Sequence, residues 1–341
     1  MTICFHSASR ANLLLSQNWM LRVSAVMTFL VFAGFFSQAF AQSVPKIRIG
    51  YWPIAAGLPF FVAIEKGYFK ESGLDVEGVK FAAPPQIVEA MIAGRLDGSA
   101  NGTASAALAI GELASPGLVK IFASNPSNVK NVLDEFIVAS GSAYKSIGEL
   151  VGKRIASGPG IQNTTLARTV LERNGVMNAQ IVEVPIGQHV GAIIAGQVDA
   201  AYTLEPTGTV GRLAGATRVL EGGVIATYIL GNPMAPWFGG SASLTTDFIK
   251  TNPAVAKKYI AAYARGVNFV RANPDEARNY LAGYTAIEGE LAKQTPLPAY
   301  VLHNEFSKSD IAMFQKFFDL FSDKKIFSSR VMVESMLYKE E

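Results

Sequence analysis

Two kinds of hydrophobic pattern follow one another along this chain, and the whole succession occurs twice. Apolar and polar positions alternate over residues 46–51, which predicts a β-strand. A helical period follows over 58–69, and a strand is predicted over 75–81. A second helix is predicted to begin after Pro85 and to end at Gly94. The first unit is therefore a strand, a helix, a strand and a helix.

The second unit has the same order, with strands over 154–157 and 181–185 and helices over 164–174 and 189–195. The decapeptide VEAMIAGRLD at 88–97 aligns at an offset of 102 with VGAIIAGQVD at 190–199, and six of the ten positions are identical. An internal repeat of strands and helices predicts two similar units with parallel sheets. We therefore expect an α/β protein of two lobes, each a mostly parallel sheet flanked by helices, with a ligand cleft between them.

The segments outside the repeat define the predicted boundaries. Residues 135–140 and 235–244 flank the second unit and are predicted to be extended crossovers between the lobes. The first lobe is expected to comprise 42–138 and 236–341, and the second 139–235. The C-terminal part from Thr245 is predicted to be helical, with aromatic residues that pack in the core and helices that cover the first lobe.

The N-terminal residues have the features of an export sequence. Arg22 precedes a mostly apolar run, and Ala39-Phe40-Ala41 follows it, which predicts a signal peptide over 1–41 with Met20 as an alternative start. No cysteine follows the apolar run, so no lipid anchor is expected. The mature protein is predicted to be periplasmic.

Composition excludes several classes of function. Of the 341 residues half are hydrophobic and 17% are charged, which is typical of a globular protein. Without 1–41 the chain has 28 basic and 27 acidic residues, since Arg10 and Arg22 are removed from the 30, and a near-neutral chain is a poor nucleic-acid binder. The mature chain has no cysteine, and its only histidines are His189 and His303. We therefore expect no metal, no cofactor and no enzymatic activity.

Several segments resemble a known family. The first runs from Gly50-Tyr-Trp-Pro through Leu58-Pro-Phe-Phe to Leu74-Asp-Val76; the others are Ile92–Asp97, Ser146–Ile155 and Ala195–Ala201 with Glu205-Pro206. Together they are similar to the sulfonate, taurine and nitrate receptors of ABC importers, and the receptors for pyrimidine precursors of thiamine share the pattern. The likeness covers about residues 46–250. It implies a type II periplasmic binding protein, a monomer that closes on a small anionic molecule and delivers it to a membrane permease and its ATPase.

Three loops are expected at the carboxyl ends of the predicted strands, where ligands of open α/β sheets bind. They begin at residues 51, 101 and 158, and the third precedes a helix whose N-terminus favours anions. In the family, Thr103, Ala104 and Glu205 fall at ligand contacts. The predicted ligand-binding residues are Tyr51, Trp52, Asn101, Thr103, Ala104, Gly160, Gln162, Asn163, Thr164, Thr165, Glu205 and Trp237.

Some of these residues have alternative roles. Asn163 or Thr164 serves equally well as a helix cap, and Glu205 either accepts hydrogen bonds from a ligand or forms a structural ion pair. Trp52 and Trp237 are expected at the cleft mouth, where indoles suggest an aromatic ligand wall. A sulfonate, a taurine-like molecule or an aromatic acid is the expected ligand. The alternatives are a pyrimidine receptor, or a sensory protein that signals to a kinase or chemoreceptor.

Overall fold

The computed structural model describes residues 46–340, which form two α/β lobes. The predicted signal peptide, 1–41, and the alternative start at Met20 lie outside the described residues. Among the described residues, no helix combines the length and apolar character needed to cross a membrane.

The first lobe contains a six-stranded sheet in the order β11-β4-β10-β3-β1-β2. Its strands are β1 (Lys46–Tyr51), β2 (Asp75–Lys80), β3 (Gly98–Ala104), β4 (Val119–Ser124), β10 (Gly240–Thr245) and β11 (Val301–Leu302). Its repeat helices are α1 (Leu58–Glu65), α2 (Tyr68–Glu71), α3 (Pro84–Ile92) and α4 (Ser105–Ala114).

The second lobe contains a five-stranded sheet in the order β7-β6-β8-β5-β9. Its strands are β5 (Asp134–Ala139), β6 (Arg154–Ser157), β7 (Gln180–Glu183), β8 (Ala200–Leu204) and β9 (Thr217–Gly222). Its helices are α5 (Ile161–Arg173), α6 (His189–Ile194) and α7 (Thr207–Leu213), followed by a π-helical turn, Ile225–Ile229. The remaining helices are α8 (Thr246–Thr251), α9 (Pro253–Ala272), α10 (Pro274–Ala277), α11 (Lys308–Asp323) and α12 (Val333–Met336).

The internal repeat is visible in atomic detail at the N-terminal edge of each sheet. The backbone N–H of Arg48 donates to Asp97 Oδ2 at 2.7 Å, and its guanidinium donates to the carbonyl of Gly94. The backbone N–H of Arg154 donates to Asp199 Oδ2 at 2.8 Å, and its guanidinium donates to the carbonyl of Gly196. The Ala-Gly-x-x-Asp pattern is thus explained by one arrangement that ties each helix end to the first strand of its unit.

Both sheets are mixed rather than mostly parallel, which corrects the predicted architecture in one respect. Pairing is parallel among β1, β2 and β3 and among β6, β7 and β8, as the repeat predicts. The crossover strands β10 and β5 are antiparallel to their neighbours, because each arrives from the other lobe. β5 therefore lies in the second sheet, whereas the predicted boundary placed Asp134–Val138 in the first lobe.

The C-terminal helices divide between the lobes. α9 packs on α1 and contributes Tyr259 and Tyr263 to the core of the first lobe. α11 also contacts the second lobe and its connection, since Lys324 pairs with Glu172 and Lys316 Nζ donates to the carbonyl of Leu230. Its Phe314 stacks on Phe238, just before β10, so the expectation that these helices cover the first lobe stays a prediction for α11. Its phenylalanines are core residues, as predicted: Phe314, Phe317, Phe318 and Phe321.

Candidate ligand site between the lobes

The loop before α5 and the first turn of this helix meet the first lobe. Gln162 accepts a hydrogen bond on Oε1 from the N–H of Ala106, in the first turn of α4, at 2.8 Å. Its Nε2 donates to the carbonyl of Gly239, also at 2.8 Å. One side chain of the second lobe thus satisfies two backbone groups on the other side of the cleft.

The N-terminus of α5 also makes steric contact across the cleft. Gly160 has φ +102, which favours glycine, and a Cβ at this position would lie 2.9 Å from Cγ of Pro85 at the start of α3. A Cβ at Gly158 would lie 3.4 Å from the indole ring of Trp52. The predicted first and third loops therefore meet at Trp52 and Gly158, and the glycine at position 160 permits the close approach to Pro85.

A largely apolar cavity of about 330 Å³ opens beside these contacts. Val88 of α3 and Ala107 and Ile110 of α4 line it from the first lobe, and Pro159 and Ile161 line it from the second. No lysine, arginine or histidine is among the described residues that line it. An acidic ligand group at this place would depend on backbone N–H groups at the starts of α4 and α5.

Three predicted site residues of the first lobe are held by their own lobe. Asn101 accepts from the hydroxyl of Tyr263 at 2.7 Å and donates to Asn125 Oδ1 at 3.3 Å. Thr103 donates to the carbonyl of Ala100, and Tyr51 packs its ring against Phe61 in the core of the first lobe. Burial raises the pKa of Tyr51. Tyr51 is therefore not brought to the cleft.

The other first-lobe residues lie at or near the cleft. Ala104 lines the cavity. Trp52 donates through Nε1 to the carbonyl of Ala82 and is 1% exposed, and Trp237, which packs on Phe317, is 2% exposed. The indoles are thus buried rather than placed at an open mouth, and Trp52 lies against Gly158 of the second lobe.

The polar residues of the α5 start mostly bond within their own turn. Asn163 Nδ2 donates to the carbonyl of Pro159 at 3.0 Å, and Thr164 Oγ1 is near the carbonyls of Gly160 and Ile161. Thr165 is buried in the same helix. No side-chain cap is formed at this N-terminus, so the predicted capping role of Asn163 or Thr164 is wrong.

Glu205 has a structural contact at the start of α7. Its two carboxylate oxygens accept from the N–H of Thr209 at 3.0 Å and from the hydroxyl of Thr209 at 3.1 Å. Burial raises the pKa of Glu205 to about 7, although the bonds from Thr209 and the charge of Arg212 oppose the change. Its carbonyl accepts from the N–H of Ala55, so this residue also ties the second lobe to the first.

Two further acids lie close by, Glu135 next to Glu205 and Asp134 next to Glu135, and sequence analysis missed both. Glu135 is 2% exposed and Asp134 is fully buried. The pKa of Glu135 is raised well above its usual range, mainly by burial and to a smaller extent by the negative charges of Glu205 and Asp134. Both acids precede an apolar run in the sequence, but a strand start is usually exposed, so the pattern gave no reason to expect burial.

Comparisons with known proteins fit this architecture. A family model described as NMT1/THI5 like matches residues 56–277, which is more than half of the chain. The chain belongs to the NMT1/THI5-like family. A Brucella abortus (strain 2308) protein named "Putative binding protein" is 30% identical over 184 residues, which are 53% of this chain and 53% of that protein. The chain thus spans about half the length of the curated relatives it matches.

Solved structures show the same fold. The alkanesulfonate-binding protein SsuA from Xanthomonas axonopodis pv. citri, bound to MOPS, is 22% identical, with 87% of this chain and 100% of that chain covered and a TM-score of 0.69. The periplasmic nitrate-binding protein NrtA from Synechocystis PCC 6803 is 14% identical, with 86% and 85% covered and a TM-score of 0.63. These likenesses confirm the predicted periplasmic-binding-protein fold.

Proposed function

We propose that this member of the family is an exported solute receptor that captures a small organic molecule between its lobes and delivers it to an ABC permease. The observation that carries the proposal is the bridge made by Gln162, which joins the start of α5 to α4 and Gly239 across the cleft. Polar groups that one lobe presents to the other stabilise a closed arrangement, and a ligand that bonds to the same groups stabilises it further.

The ligand class follows from the two helix N-termini. The N–H of Ala106 already donates a hydrogen bond to the amide oxygen of Gln162, and a sulfonate or carboxylate oxygen is a stronger acceptor for such a donor. The apolar cavity lined by both lobes suits an alkyl or aromatic portion of the same molecule. Sulfonates, taurine-like molecules and aromatic acids are therefore the leading ligands, in agreement with the alkanesulfonate named for a protein of the same fold.

Two alternatives remain within the same fold. A pyrimidine receptor is supported by the membership of the NMT1/THI5-like family and by the lack of basic side chains along the cavity. A sensory protein would use the same closure to dock on a kinase or chemoreceptor, and the gene neighbourhood separates this role from transport. Periplasmic location after removal of residues 1–41 is part of the proposal.

A thermal-shift screen of the mature chain tests it. The panel contains alkanesulfonates, taurine, aromatic carboxylates, nitrate and aminopyrimidines. Each is added at concentrations up to about 10 mM, so that ligands with millimolar Kd values are also detected. A true ligand at about 100 times its Kd stabilises the folded state by roughly 2.7 kcal/mol. Small-angle scattering should then show a compact state. If no solute of any class raises the melting temperature, the receptor function is wrong.

A further inference from the structure

A buried carboxyl group without a counter-ion lies where the chain enters the second lobe. Asp134 begins β5 and is fully buried; its Oδ2 accepts a hydrogen bond from the N–H of Ile225 at 2.9 Å, while Oδ1 has no hydrogen-bond partner among residues 46–340. Burial raises the pKa of Asp134 to about 6, and only hydrogen-bond donors oppose the change. No basic side chain between residues 46 and 340 acts on it. Such a carboxyl group is costly to bury unless a partner binds it.

Ser127 lies close to this carboxyl group, and Trp237 is paired with Ser127. The backbone N–H of Ser127 donates to the carbonyl of Trp237 at 3.1 Å, and the N–H of Trp237 donates to the carbonyl of Ser127 at 2.9 Å. Because the two residues are directly opposite each other in this pairing, their side chains lie on one face of the two crossovers. Within the described part of the chain, neither Ser127 Oγ nor Trp237 Nε1 has a hydrogen-bond partner, and both residues are at least 98% buried. The side chain of Ser127 lies close enough to Asp134 to lower the pKa of its carboxyl group.

Tyr202 belongs to the same group. Asp134 pairs with Leu204 and Phe136 pairs with Tyr202, so Asp134 and Tyr202 share one face of the second sheet. The hydroxyl of Tyr202 has no hydrogen-bond partner among the residues that the structure describes. The pKa of Tyr202 is raised well above its usual range, mainly by burial and to a smaller extent by the negative charge of Asp134. We call Ser127, Asp134, Tyr202 and Trp237 the hinge polar group.

This group adjoins the candidate ligand site. Asp134 pairs with the last residue of β8, at the carboxyl end of the parallel strands, where ligands of open α/β sheets bind. The indole of Trp237 lies against Gly239, whose carbonyl accepts from Gln162. Gly239 therefore connects the indole to the bridge made by Gln162.

We infer that the hinge polar group is a subsite for an N–H-bearing group of the ligand, a protonated amine or an amidine, which donates to Asp134 Oδ1 while Trp237 Nε1 donates to a neighbouring acceptor atom. The inference rests on the proposed receptor function and narrows its ligand class. A simple anion such as nitrate would face a carboxylate with no cation beside it, whereas a molecule with both an amine and an acidic group satisfies the subsite and the helix N-termini together.

Matched solute pairs that differ in one amine test the inference by calorimetry at pH 7.5: taurine against ethanesulfonate, benzylamine against benzyl alcohol, and 4-aminopyrimidine against pyrimidine. In at least one pair the amine should bind about tenfold more tightly or better, the range of hydrogen bonds to charged groups. Asp134→Asn should remove this preference, since Asn keeps an acceptor for Ile225. Glu183→Gln, an exposed acid on β7, should keep it.

Tyr202→Phe gives a second arm, because it removes only an unpartnered hydroxyl and is expected to fold. This variant should bind the amine-containing solute of the preferred pair more weakly and should bind the amine-free solute of that pair with unchanged affinity. The subsite is overturned if every amine-free solute binds as tightly as its amine partner, or if the preference survives Asp134→Asn. Tight binding of ethanesulfonate alone would overturn the subsite while the receptor function stands.

Discussion

Gln162 in the first turn of α5 accepts a hydrogen bond from the backbone N–H of Ala106 in the opposite lobe, at 2.8 Å. The same amide donates to Gly239 at 2.8 Å and is almost fully buried. Two hydrogen bonds of one side chain thus depend on the lobes being together. This relationship allows the closed arrangement to be tested without knowledge of the ligand.

Gln162→Ala should favour the open arrangement. The change removes two bonds to backbone groups, each worth about 0.5–1.5 kcal/mol, so the free energy of unfolding should fall by roughly 1–3 kcal/mol. Small-angle scattering should show a larger radius of gyration. Gln197→Ala, at an exposed glutamine of the second lobe, is the matched control and should change neither quantity. An unchanged radius for Gln162→Ala would mean that the bridge does not determine closure.

Gly160→Ala should oppose closure and also strain the backbone. Gly160 has φ +102, and an added Cβ would lie 2.9 Å from Pro85 of the other lobe. A non-glycine residue in such a conformation costs of order 1–3 kcal/mol. Urea unfolding measures this loss, and Gly187→Ala is the control because its Cβ would meet no atom within 4 Å. Equal stabilities of the two variants would contradict the assignment of strain to Gly160.

Gly208→Ala should destabilise the native chain but be tolerated when Glu135 is shortened. A Cβ on Gly208 would lie 1.2 Å from Glu135 Oε1, so the carboxyl group must move out of a buried place. We expect a loss of roughly 1–3 kcal/mol from the forced displacement. In a Glu135→Ala background the methyl group has room, and alanine in a helix is favoured over glycine by about 1 kcal/mol. Chemical denaturation of the four proteins gives the coupling energy. Additive effects would show that the two groups do not compete for the same space.

The repeat explains why much of the fold was predictable. Arg48–Asp97 and Arg154–Asp199 are equivalent ion pairs, and the glycines at 94 and 196 end equivalent helices. Hydrophobic patterns predicted helix ends and the assignment of strands to sheets less well, because contacts between distant parts of the chain determine both. The predicted helix over 58–69 is broken at Gly67, with φ 72, and β5 joins a sheet that its own sequence does not specify.

The candidate site was predicted in its position more than in its chemistry. The loops that contain Trp52 and Gln162 do meet, because the carboxyl ends of parallel strands share an edge. Sequence analysis predicted a ligand contact for Gln162, which stays a prediction, but it gave no indication that the amide of Gln162 bridges the lobes. It missed Asp134, because the burial of an acid at a strand start depends on the crossovers that cover it rather than on neighbours in the sequence.

His189 should make stability fall as the pH decreases from about 6.5 to about 4. Its ring lies between Thr203 Oγ1 at 3.0 Å and the carbonyl of Val184 at 2.9 Å, and burial lowers its pKa to about 4. Within this pH window the unfolded chain binds a proton on His189 and the folded chain does not, so stabilisation present above pH 6.5 is progressively lost. The loss at pH 5 should be about 2 kcal/mol, from 1.36 kcal/mol per pKa unit.

The measurement is a comparison of the wild type with His189→Gln by urea denaturation at pH 7.5 and pH 5. The variant loses packing and hydrogen bonds at both pH values but has no proton to gain at this position. Its deficit relative to the wild type should therefore shrink by about 2 kcal/mol at pH 5. Buried acids such as Asp134 titrate in both proteins and cancel in the difference. A deficit that is constant, or that grows on acidification, would mean that the folded protein accepts a proton on His189.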